Sequence, residues 1–238
     1  MSAVAQQDAL SLSLKPHNQP GRLITFSGVD GSGKTTLANA ALRYIKSLGH
    51  QVHLVPLLAP EVLSLSAFRN YAQDPLDSIG RLVDMFALSL ICCGSRLLNV
   101  RTKVLPLLEM GHWVVCDRYA FTTLAELQAF QVPDAERKAL NEVMRFFPRP
   151  DMAFLAWCPP QTCIDRIRLR EGEQGKHLDA DHYDVLVRSF RQVALANGLR
   201  QISTDREPTH SEALVTQAID EITPPLEILH DGSRADAG

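Results

Sequence analysis

The chain has 238 residues, of which 45% are hydrophobic and 21% charged, and a formal net charge of -3 at pH 7. That is the composition of a globular chain long enough to bury one substantial core. The slightly acidic balance excludes a nucleic acid or anionic membrane held by bulk charge, so phosphate recognition has to come from local Lys and Arg clusters.

Residues 1–20 mix Ser, Gln, Asn and Pro without a sustained period and are expected to be flexible, as is the polar tail 224–238. A single domain is expected between them, over 21–223. The N-terminal segment has no basic stretch followed by an apolar one, and no apolar run reaches the roughly 20 residues of a membrane span. Cys92, Cys93, Cys116, Cys158 and Cys163 lie in or beside apolar runs, without the paired spacing of a metal site. The expectation is a cytoplasmic protein with buried, reduced thiols.

Arg22 to Phe26 reads as a short buried strand, followed by a Gly-rich turn and a helix with apolar residues at Leu37, Ala41, Tyr44, Ile45 and Leu48. Gly49 stands where a helix C-cap belongs. A strand over 51–58 follows, then a long apolar helical region over about 79–108, a strand at Trp113 to Cys116, and helices to about Phe147. Next come a strand over 152–157, a helix from about Pro160, a strand over 199–203 and a helix over 211–222. Strands alternating with helices predict an α/β fold of three layers, with a parallel sheet of about five strands and helices on both faces. In such sheets ligands sit at the carboxyl ends of the strands.

The turn after the first strand, Gly28-Val29-Asp30-Gly31-Ser32-Gly33-Lys34-Thr35, satisfies G-x-x-x-x-G-K-[ST] between a strand and a helix, the context in which that pattern binds phosphate. Its backbone N–H groups, including those of Gly28, Gly31, Ser32 and Gly33, would turn toward phosphate oxygens. Lys34 would reach the β- and γ-phosphates of ATP, the Thr35 hydroxyl would hold Mg²⁺, and Thr36 would complete the donor site. No Asn-Lys-x-Asp segment is present, which weakens a GTPase reading. Asp117, at the end of the apolar run Trp113 to Cys116, can hold Mg²⁺ through water, and the adjacent Arg118 can grip a phosphate bidentately. Arg166 and Arg170 are spaced i and i+4 for one helical face.

Phe26 to Thr36 resembles the P-loop of the thymidylate kinase family, and Asp117-Arg118-Tyr119 resembles that family's Asp-Arg-Tyr/Trp motif. The resemblance implies a P-loop nucleoside monophosphate kinase that uses ATP and Mg²⁺ to phosphorylate a small nucleotide, most simply dTMP. It implies further that Asp30 and Arg118 position the acceptor phosphate, and that Arg96 and Thr123 read the base. The segment 165–178 resembles the Arg-rich lid of bacterial members. Because the P-loop carries no Arg, the resemblance assigns transition-state stabilisation to Arg166 and Arg170 of that lid.

Two departures are visible. The chain reads Pro56-Leu57-Leu58-Ala59-Pro60-Glu61 where the family usually places an Arg near the acceptor phosphate, and Glu126 stands where it usually has a Tyr beneath the sugar. A different acceptor, or a nucleotide-binding protein that has lost transfer, therefore stays open at the level of sequence. The apolar helix over 79–108 is equally a core element or the face of a homodimer, a common assembly in that family.

Overall fold

The computed structural model describes residues 10–173 and 175–223. The strands β1 (Lys15–Pro16) and β5 (Pro148–Arg149) form a short parallel pair. The remaining strands are β2 (Arg22–Ser27), β3 (Val52–Pro56), β4 (Trp113–Asp117), β6 (Met152–Trp157) and β7 (Arg200–Ser203). They make a five-stranded parallel sheet in the order β3-β4-β2-β6-β7. The three-layer α/β expectation is met. β2 and β4 are buried along nearly their whole length, as strands covered on both faces must be.

One face of the sheet packs on α1 (Lys34–Ser47) and α11 (Pro208–Asp220), around Ile24, Phe26, Leu37 and Phe154. The other packs on α5 (Met85–Asn99), α7 (Ala120–Ala129), α8 (Asp134–Met144) and α10 (Ala180–Ala196), around Leu23, Val114, Tyr119, Leu124 and Phe190. Three short helices lie between β3 and α5: α2 (Pro60–Ser64), α3 (Ser66–Gln73) and α4 (Pro75–Ser78). α9 (Pro160–Arg168) follows β6. Gly49 caps α1 as expected, at φ 85°, with its N–H on the Lys46 carbonyl.

The long helical region expected over 79–108 is divided. α5 starts at Met85, capped by the Asp84 carboxylate, which accepts from the Ala87 N–H at 2.7 Å. Past Asn99 the chain widens to a π-turn at Val100–Val104 before α6 (Leu105–Glu109). Pro106 gives the cause: it has no N–H to offer the Thr102 carbonyl four residues earlier, and its ring crowds that carbonyl.

The segment expected to be loose through residue 20 packs against the body from Leu10 onward. Leu10 is buried, Asn197 bonds the Leu10 carbonyl and the Leu12 N–H at 2.7 Å each, and His17 meets Asp151 at 2.8 Å. Its polar composition hid these partners, which are all more than 100 residues away in sequence. The tail expected over 224–238 lies outside the described residues.

Candidate active site

The carboxyl ends of β2 and β4 are register neighbours, Phe26 opposite Asp117, so the loop after β2 and the residues after β4 meet at one edge of the sheet. Gly28, Gly31 and Gly33 of that loop have φ of 150°, 79° and 83°. At Gly31 a Cβ would collide with the Cys163 carbonyl, so only glycine fits there. From behind the loop, Arg166 donates to the Gly31 carbonyl at 3.3 Å and the Thr204 hydroxyl to the Ser32 carbonyl at 2.8 Å. These bonds hold the Gly31 and Ser32 carbonyls, the Ser32 N–H donates within the loop to the Val29 carbonyl at 3.2 Å, and the start of α1 adds positive potential beside them.

Lys34 opens α1, buried, with Nζ 3.1 Å from Asp30 and 3.4 Å from the Val29 carbonyl. Burial and the nearby Arg118 charge lower the Lys34 pKa, against the pull of Asp30. Burial would push Asp30 upward, but Arg118 and then Lys34 outweigh it and hold that carboxyl far below the usual range. Asp30 accepts from both cations and is ionised throughout the working range of pH.

Thr35 donates to Asp117 Oδ2 at 2.7 Å, while Asp117 Oδ1 is buried without a hydrogen-bond partner. A hydroxyl and a carboxylate with a spare oxygen, set beside a phosphate cradle, suit a hard divalent cation such as Mg²⁺. The buried Ser32 hydroxyl is likewise unpartnered in the cradle, and Thr36 lies exposed on the first turn of α1. The residues present therefore fit ATP with Mg²⁺.

Arg118 follows β4 with φ 72°, a left-handed backbone that is uncommon outside glycine. Its N–H bonds the Phe26 carbonyl at 2.8 Å, and its guanidinium meets Asp30 and lies 4.0 Å from Glu126. Asp30 and Glu126 raise the Arg118 pKa, more than offsetting its burial. Behind these groups opens a cleft of about 300 Å³, lined by Asp30, Arg118, Glu126, Thr123, Arg96 and Tyr71 among others. Thr123 and Glu126 share one face of α7 at i and i+3. Arg96 reaches them from α5, buried, donating to the Thr123 hydroxyl while its Nε has no partner. Arg96, Arg118, Thr123 and Glu126, named from sequence, thus converge on one cavity.

Burial raises the Glu126 pKa, partly offset by Arg96 and Arg118. A carboxyl with a folded-state value above its unfolded value favours the fold below the ordinary carboxylate range and loses that contribution as pH rises through the folded value. We therefore expect Glu126→Gln to melt higher than wild type at neutral pH, with the gap shrinking as pH falls through the carboxylate range. Melting curves across that interval check it; a gap independent of pH contradicts the assignment.

Arg166 and Arg170, expected to act from a lid, are not among the residues lining the cleft. α9 stops at Arg168, so Arg166 and Arg170 do not share a helical face, and Arg170 lies exposed beyond the helix. Arg166 donates to the Thr204 carbonyl at 2.7 Å and hydroxyl at 3.1 Å besides Gly31, so here it anchors the loop from outside the cleft lining. The lid cation that lines the cleft is Lys176, whose charge helps hold the Asp30 carboxyl down. Its segment is tied across the cleft by Gln73 to the Gly175 carbonyl at 2.6 Å and by His177 to Asp74 at 3.0 Å.

Sequence reasoning also passed over Ser89 and His182. Both line the cleft, both are buried, and the Ser89 Oγ and His182 Nε2 have no partner. Burial lowers the His182 pKa. An aromatic pair, Tyr71 against Phe130 at 5.9 Å, backs that wall. Asp179, three residues before His182, caps α10 by accepting the His182 N–H at 2.7 Å. That local pattern was the one signal available.

Among the described residues no helix is long and apolar enough to cross a membrane, and all five cysteines are free. The family model for thymidylate kinase matches residues 26–209. A probable thymidylate kinase of Pyrococcus horikoshii is 31% identical over 199 residues, covering 81% of this chain and 93% of that protein. A thymidylate kinase of Pelobacter propionicus is 27% identical over 210 residues, 84% of this chain and 94% of its own. One from Tropheryma whipplei is 30% identical over 162 residues, 66% and 74% respectively. With the P-loop motif, the Asp117-Arg118 pair and the cleft beside them in place, these matches show that the chain belongs to the thymidylate kinase family.

Proposed function

We propose that this protein transfers the γ-phosphoryl group of ATP to dTMP, giving dTDP, in a single domain over 21–223 lidded by residues 165–178. The observation that carries the reading is the line from Lys34 through Asp30 to Arg118, which joins the phosphate cradle to the acceptor cleft without a break. Phosphoryl transfer needs positioning and charge stabilisation rather than covalent help from the protein. Lys34 draws charge from the donor phosphates while Arg118 orients the acceptor phosphate in line with them. Asp30 fixes the separation of the two cations.

Thr35 and, through water, Asp117 would hold Mg²⁺, which when bound would supply positive charge against the phosphates. Arg96 and Thr123 face the base, and the buried, unpartnered Arg96 Nε leaves that guanidinium a hydrogen bond to give a carbonyl oxygen such as thymine presents. Glu126 accepts from a sugar hydroxyl, and Lys176 covers the transferred group when the lid closes. Arg166 supports the cradle, and Arg170 belongs to the lid. A site for small soluble nucleotides supports a cytoplasmic protein. ADP formation from ATP with each nucleoside monophosphate tests the acceptor: dTMP should far exceed the others, and equal rates with several acceptors, or with none, contradict the reading.

Ala87, Leu90, Ile91, Gly94 and Leu98 leave one face of α5 exposed and wholly apolar, with Ile91 45% and Leu98 62% exposed. Five such positions in register along one helix suit a second copy of the chain. Light scattering that returns twice the chain mass supports a dimer through α5, provided Ile91→Glu halves it; a monomer mass for wild type retires the idea.

A further inference from the structure

Cys158 follows β6 and Cys163 sits in the first turn of α9, and their sulfurs lie 2.9 Å apart with both side chains fully buried. Pro159 and Pro160 stand between them and fix the backbone of the turn. The pair touches the phosphate loop twice. Cys158 Sγ is 3.8 Å from the Gly31 carbonyl, and the backbone of Cys163 is what excludes a side chain at Gly31. Arg166, the anchor of that carbonyl, also has Nη1 3.6 Å from Cys158 Sγ. None of the proposed catalytic groups depends on either thiol.

We propose that Cys158 and Cys163 form a reversible disulfide beneath the phosphate loop, made by hydrogen peroxide and undone by a dithiol, which weakens ATP binding. It goes beyond the kinase reading. Cys158 is the attacking thiol: the hydrogen bond from Cys163, and after it the Arg166 charge, lower its pKa, while the same bond, with burial, raises that of Cys163. The Cys158 thiolate attacks one peroxide oxygen, the O–O bond breaks, and one water leaves with the Cys158 sulfenic acid formed. Cys163 sulfur then attacks the sulfenic sulfur, the S–S bond forms, and a second water carries off the hydroxyl and the Cys163 proton. Two thiols and one peroxide give one disulfide and two waters, the thiols supplying both electrons.

A disulfide holds its sulfurs at about 2.05 Å, so the two must close by less than 1 Å, a motion the turn can supply. The same closure pulls on the backbone beside Gly31 and removes the thiolate next to Arg166. The loop is too closely packed to absorb either change without moving its N–H groups off the phosphates. Both thiols are fully buried, so a small oxidant such as peroxide should reach the pair far faster than bulky disulfide reagents, which should react slowly.

The test treats the full-length protein with hydrogen peroxide, alkylates the remaining thiols after denaturation, maps the peptides by mass, and measures ATP affinity by calorimetry before and after dithiothreitol. Because affinity is read directly, the outcome does not depend on turnover or on the acceptor. The expected result is a Cys158–Cys163 crosslink about 2 Da lighter than the reduced peptides, and ATP affinity weakened about tenfold and restored by the dithiol. Cys163→Ser and, should that variant fold poorly, Cys163→Ala should bind ATP normally and ignore peroxide. Alkylation of both cysteines after peroxide, a crosslink that leaves ATP affinity unchanged, or a peroxide response that survives in the Cys163 variants would overturn the proposal.

Discussion

Lys34→Ala should lower kcat by about 100- to 1000-fold while leaving the melting temperature close to that of wild type, the loss typical of one preorganised electrostatic group at a developing charge. The effect is large because Lys34 is buried at the mouth of α1, where its charge is only partly screened. The neighbouring Arg118 is already engaged by Asp30 and Glu126. Stability should hold because Lys34 makes its two polar contacts within the loop rather than across the core. Steady-state rates beside melting curves check both halves. Near-normal turnover in Lys34→Ala would remove the donor site from this account.

Arg118→Lys should raise KM for the acceptor and lower kcat together, for a combined loss of about 100-fold or more in kcat/KM. Lysine keeps the charge but not the planar fork, and the fork is what allows Arg118 to meet Asp30 and a phosphate at once. Its shorter reach also leaves Asp30 and Glu126 closer to uncompensated, two carboxylates facing an anionic acceptor. ATP affinity should change little, since Thr35, Asp117 and the loop amides are untouched. An Arg118→Lys enzyme with unchanged acceptor KM would move the acceptor phosphate elsewhere.

The phosphate loop was legible in the sequence because its geometry is local: three glycines at positive φ between a strand and a helix need no distant partner to be recognised. Asp117 and Arg118 were legible for a related reason, since strand register alone brings β4 beside β2. Arg166 was misplaced because i, i+4 spacing assumes a helix, and α9 ends two residues before Arg170. Lys176, Ser89 and His182 were not singled out: only the Asp179 cap hinted at His182, and Lys176 was one residue of the expected lid. All three reach the cleft from the segment after α9, from α5 and from α10, and only the packing of these elements brings them together. The same holds for Leu10, which joins the core while its carbonyl accepts from Asn197. Cys158 and Cys163 were read as buried thiols, as they are, but their contact beneath Gly31 is a product of the fold.

The most direct test of the central claim is to follow the label of γ-labelled ATP with dTMP as acceptor, Mg²⁺ present, and wild type beside Lys34→Ala. The account predicts label in dTDP, dependent on Lys34, and little in inorganic phosphate. Label released only as inorganic phosphate, or remaining in ATP whatever the acceptor, would contradict it.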